Sequence, residues 1–157
     1  MLSDLFAWIS GSSLGAWVVS SQFIWPTLES IHFVSLCVLF GSILAVDLRL
    51  IGVFRTPCAS MVDILIRVSL IAFAVNLLTG ALFFAGNTYK YVGNVAFEIK
   101  LAVIVAAGIN AWLYKTRLAH IVHTEDVSPG TIAAGTLSIL FWITVIICGR
   151  MITFYAP

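Results

Sequence analysis

Residues 26–48 read PTLESIHFVSLCVLFGSILAVDL, an apolar run that carries Glu29 and His32 near one end and Asp47 near the other. A helix rises about 1.5 Å per residue, so a run of this length reaches across a hydrocarbon core of about 30 Å. Pro26 suits the first helical turn, where a missing N–H costs nothing. Working outward, three more stretches have the same character: residues 63–85, 95–114 and 129–154. None shows the alternation of a strand, and all are too long for one. The expected fold is therefore all-α: an integral membrane four-helix bundle over residues 26–157.

The ends of the spans have local causes. Ser60 with Asp63 resembles a capping box before the second. Gly86-Asn87 ends it, and Gly93-Asn94 precedes the third. Ser128-Pro129 reads as an N-cap and first helical position for the fourth. Residues 1–25 are less regular. Ser10-Gly11-Ser12-Ser13 interrupts an apolar stretch, and Trp8, Trp17 and Trp25 favour the headgroup level. One or two short interfacial helices are expected there. A signal peptide is not expected, because Asp4 is the only charge ahead of a broken apolar stretch.

Composition agrees. The chain of 157 residues is 61% hydrophobic and 10% charged, against about 25% charge in a soluble domain. Lipid is the solvent that so much apolar surface requires. A net charge of +1 offers no field for nucleic acid. Arg49, Arg55, Arg67, Lys115 and Arg117 fall on one side of the membrane; Lys90, Lys100 and Arg150 lie toward the other. The positive-inside rule makes the first side cytoplasmic, which puts both termini, with Glu29 and His32, on the outer side. For a bacterial inner membrane that side is the periplasm.

Ionisable residues inside spans are costly and mark functional sites. Glu29 and His32 are three residues apart, about 60° around a helix, so both can address one space. Lys100 and Arg150 fall at a similar depth in other spans. Together the four suggest a cofactor pocket. In a heme b reading His32 is an axial ligand, Met151 supplies the second, and Lys100 and Arg150 meet the propionates. In a copper reading His32 and Glu29 are the ligands. Two blander readings stand beside these: a small transporter or channel component moving protons or a metal ion, and an oligomeric structural protein whose cations snorkel or pair with Glu29 or Glu98. A bis-histidine heme within one chain is not expected, since His120 and His123 lie a membrane thickness from His32.

Other polar residues have mostly structural readings. His120 and His123 with Glu125 and Asp126 could hold a metal on the cytoplasmic side. Asp47 and Arg49 suit an ion pair at a helix end. Asn76 and Thr79 suit hydrogen bonds between helices. Cys37 and Cys148 are small fillers and Cys58 a reduced thiol. Ala102, Ala106, Ala107, Gly108 and Ala111 allow close helix approach and a homo-oligomer.

Six segments carry a family resemblance: Trp25-Pro26-Thr27-Leu28-Glu29-Ser30-Ile31-His32, Asp47-Leu48-Arg49-Leu50-Ile51-Gly52, Thr79-Gly80-Ala81-Leu82-Phe83-Phe84, Ala96-Phe97-Glu98-Ile99-Lys100, Asn110-Ala111 and Gly149-Arg150-Met151-Ile152. The chain resembles a family of small bacterial inner-membrane proteins, the domain of unknown function 6644, over about residues 22–155. The resemblance implies four membrane helices and no defined activity. Where the family often has a histidine, this chain has Tyr114. The layout is also similar to small b-type cytochrome and copper-resistance membrane domains, which implies heme or copper by analogy of architecture.

Overall fold

A computed structural model describes residues 11–53, 59–117 and 127–155. Its elements are all helices among the described residues: α1 (Ser13–Val19), α2 (Ile24–Ile51), α3 (Ala59–Gly86), α4 (Thr88–Tyr91), α5 (Val95–Arg117) and α6 (Pro129–Met151). Four of them, α2, α3, α5 and α6, are long and apolar enough to cross a membrane. The chain is an integral membrane protein with the expected number of spans.

The ends differ from expectation where tertiary contacts decide them. Helix α2 starts earlier than Pro26, which lies in its first turn, and runs on to Ile51. There Gly52 adopts φ +83° and caps the helix with its N–H on the carbonyls of Arg49 and Leu48, as the left-handed cap motif requires. Ser60 is already helical inside α3, so the N-cap position expected there lies earlier in the chain. Ser128 does cap α6: its hydroxyl accepts from the Thr131 N–H, and Thr131 Oγ1 accepts from the Ser128 N–H. Helix α6 ends at Met151, short of residue 154, and the Ile152 carbonyl just past its end accepts from Asn94.

Asn94 joins two helix ends on one side of the bundle. Its Oδ1 accepts from the N–H groups of Ala96 and Phe97, capping α5. Its amide nitrogen donates to the Ile152 carbonyl at 3.0 Å. The side chain is fully buried, so each bond satisfies a group that water cannot reach.

Helix α2 is flanked by α3 and α6, and α5 packs on α6. All four meet in a core of Leu39, Ala72, Ala107, Trp142 and Val145. Most large apolar side chains outside it are exposed, among them Phe33, Leu70, Ile71, Leu78, Val105 and Ile147. That is the lipid-facing surface of a membrane bundle. Short helix α1, capped by Ser12, seats Val18 on the end of α3. A Cβ at Gly86 would lie 2.8 Å from Val18 Cγ1 and 3.2 Å from the Trp25 ring, so the seat depends on glycine. Leu14, Trp17 and Val19 remain exposed on α1, an apolar edge suited to the interface. Trp8 and the first ten residues lie outside the described residues.

Candidate functional site

His32 lies two turns into α2 and is half-buried. Its Nδ1 is 2.6 Å from Thr79 Oγ1 on α3. Thr79 is in turn 2.8 Å from the Val75 carbonyl of its own helix, the usual outlet for a threonine hydroxyl inside a span. A hydroxyl has one hydrogen. With that hydrogen on Val75, Thr79 Oγ1 accepts from the imidazole, which places the ring proton on Nδ1 and leaves the Nε2 lone pair open. This tautomer is assigned from the network. Phe83, one turn beyond Thr79, meets the imidazole edge-on with centroids 5.6 Å apart, and Trp25 backs Phe83 at 5.0 Å. Two side chains of one helix thus fix a ring carried by another.

The next turn inward repeats the pattern. Asn76 donates to Ser35 Oγ at 2.8 Å and to the Ala72 carbonyl at 3.1 Å. Asn76 Oδ1 is buried without a hydrogen-bond partner.

Of the other three charged residues in the expected quartet, Lys100 is the one whose charge His32 feels. Lys100 is half-buried on α5. Its Nζ lies beside Gly149 of α6, 3.5 Å from where a Cβ would stand. Its charge is within electrostatic reach of His32. Glu29 and Arg150 are placed at the rim. Glu29 is exposed and accepts from Trp25 Nε1 at 3.0 Å. Arg150 is exposed, its guanidinium 5.7 Å from the Phe154 ring centroid. Met151 is half-buried in the last turn of α6.

Aromatic rings close this end of the bundle. Phe84 stacks on Phe97 at 5.9 Å, and Tyr91 tilts against Phe97 at 5.2 Å. Burial, and then the nearby charge of Glu29, push the Tyr91 phenol up to about 12.

Among the described residues no three His, Cys, Asp or Glu side chains converge on one point. His120, His123, Glu125, Asp126 and Cys58 lie outside the described residues. Cys148 is buried, as a filler should be, whereas Cys37 is exposed on the lipid face.

The opposite end of α2 holds a polar group of a different kind. Asp47 is only 5% exposed. Its carboxylate meets the Ser138 hydroxyl of α6, yet Oδ2 has no hydrogen-bond partner among the described residues. Tyr114 of α5 has a buried hydroxyl that is also unpartnered. The sequence reading missed Ser138. One signal was available: His32, Ser35, Leu39, Ser42 and Val46 recur at alternating steps of three and four, which marks the inner face of α2.

A family model described as "Family of unknown function (DUF6644)" matches residues 5–155. No curated protein and no solved structure matches the chain.

Proposed function

The chain belongs to that family of unknown function, so its activity rests on its own side chains, and we propose that it holds heme b through His32 and serves in electron transfer. The observation that carries this reading is the 2.6 Å contact between His32 Nδ1 and Thr79 Oγ1. Metal-ligating histidines donate their other ring N–H to a fixed acceptor, which sets the tautomer and the ring plane. Here Thr79 would be that acceptor, leaving Nε2 to hold the iron.

The donor set favours heme over copper. A bare metal ion in a protein site takes most of its ligands from side chains. His32 and Glu29 offer two, and Glu29 is exposed and engaged by Trp25. A porphyrin brings its own nitrogens and asks the protein only for axial ligands. One histidine suffices, with Met151 as the candidate for the second position. Lys100 adds a cation near His32, suited to a propionate. Arg150, at the rim, suits the other. Bound heme supplies a reversible one-electron iron couple. The chain orients the imidazole through Thr79 and packs Phe83 against it.

The positive-inside rule supports an orientation with His32 on the outer face of a bacterial inner membrane and both termini on that side. Ala102, Gly108 and Ala111 are exposed on α5, which supports a homo-oligomer joined through small residues. Electrons would pass to a separate redox protein.

Absorption spectroscopy of the purified full chain tests the reading. A Soret band that is lost in His32→Ala is expected. A colourless protein that takes up no added heme overturns it. Proton movement is the second reading, favoured by the partly buried Ser35–Asn76 pair one turn inward; a colourless protein that acidifies liposomes through His32 would support it.

A further inference from the structure

Asp47 lies fifteen residues after His32, so about 22 Å separates them along α2. It is one turn from the end of that helix. Three helices surround it. From α6, the backbone at Gly135 comes so close that a Cβ there would sit 3.0 Å from the Asp47 carbonyl oxygen. Ser138 follows one turn later and bonds the carboxylate. From α5 comes Tyr114, which feels the charges of both Asp47 and Arg49. Asn110, one turn earlier, donates to the Ala134 carbonyl at 3.0 Å and pins α5 to α6. From α3 come Val62 and Leu65, which pack with Val46, Leu50 and Tyr114. Among the described residues, the titratable and charged groups facing this space are therefore Asp47, Tyr114 and Arg49.

Among the described residues, two buried oxygens here, Asp47 Oδ2 and Tyr114 Oη, have no hydrogen-bond partner. Buried polar atoms almost always have one, and where protein supplies none, water does. The two atoms are the minimum a buried water needs. They are too few for a hard metal cation, which takes about six or more oxygens. A bare carboxylate in an apolar interior also costs far more than a neutral carboxyl, so such a group takes up a proton.

We propose that Asp47 is a proton-binding site, its carboxyl linked by one water to the Tyr114 hydroxyl and exchanging protons with the aqueous phase on the side opposite His32. The proton enters as hydronium and leaves one water behind, bonding to Oδ2. On release the negative charge is held by Ser138 and the bridging water. This site is independent of the heme reading.

Infrared spectroscopy of the full chain in lipid nanodiscs tests it. The expected result is a carbonyl stretch of a protonated carboxylic acid that shifts in D2O, disappears reversibly as pH is raised, and is absent in Asp47→Asn. Tyr114→Phe should keep the band but move it to higher frequency, since the carboxyl loses a hydrogen bond through the water. The proposal is overturned if the native protein lacks the band, if the band survives Asp47→Asn, or if it ignores D2O and pH. A carboxylate band that shifts with added sodium also overturns it, by assigning the site to an alkali cation. Should Asp47→Asn fail to fold, Tyr114→Phe decides: an unmoved band sinks the bridge.

Discussion

His32 and Thr79 are 47 residues apart in sequence and 2.6 Å apart in space. The contact joins α2 to α3 and turns a flexible imidazole into an oriented one. Thr79→Val removes the acceptor and keeps the shape. Losing such an outer partner costs about 10–100-fold in ligand affinity, so heme titration should show a loss in that range for Thr79→Val and little change for Thr79→Ser. The fold itself should lose only about 1 kcal/mol, the net worth of one such bond.

Lys100 and Arg150 should separate in the same assay. Lys100 lies within reach of His32, and Arg150 sits over Phe154 at the rim. Lys100→Met should weaken heme retention more than Arg150→Met. Equal losses would place both cations on the ligand.

Asn94→Ala should be among the more damaging single changes at this end. It removes an N-cap, worth about 1 kcal/mol, and strands a buried carbonyl at Ile152, about 1–3 kcal/mol. Asn94→Asp restores the cap but not the donated bond, so its melting temperature in detergent should fall between the two.

Gly86 and Gly80 make a matched pair on α3. A Cβ at Gly86 meets Val18 at 2.8 Å, whereas one at Gly80 meets nothing within 4 Å. Gly80→Ala should be neutral or stabilising by up to about 1 kcal/mol. Gly86→Ala should unseat α1, at a cost of about 1–3 kcal/mol, and speed proteolysis near residue 20.

The Tyr91 phenol, held up to about 12 by burial and by Glu29, predicts an alkaline limit. An unfolded tyrosine releases its proton near 10. The folded chain keeps that proton longer, so the stability from Tyr91 is complete below pH 10 and declines as pH rises from 10 toward 12. Glu29→Gln removes one of the two causes and should move the phenolate absorbance of Tyr91 to lower pH.

The number of spans was legible because each is a long apolar run, and lipid demands such runs. The α6 start was legible too, since Ser128-Pro129 is a local signal that tertiary contacts leave alone. Outside α2, where polar residues recur at helical spacing, the face that each helix turns inward was not. In a soluble bundle the polar side reveals it, but here lipid and core are both apolar, so Leu39 in the core and Leu70 in the lipid look alike. For the same reason Lys100 and Arg150 were indistinguishable in sequence. Their fates depend on helix rotation and rotamer, one set against Gly149 and the other over Phe154. Ser60 failed as a cap because α3 is already helical at Ala59.

The bond from Asn94 to Ile152 spans 58 residues and bears on biogenesis. During synthesis the third long helix emerges before the fourth exists, so Asn94 must wait for the carbonyl it binds. In lipid that wait is expensive, because no water stands in. The hairpin of α5 and α6 should therefore leave the translocon as a unit, and the ceiling over Lys100 is the last part of the molecule to close.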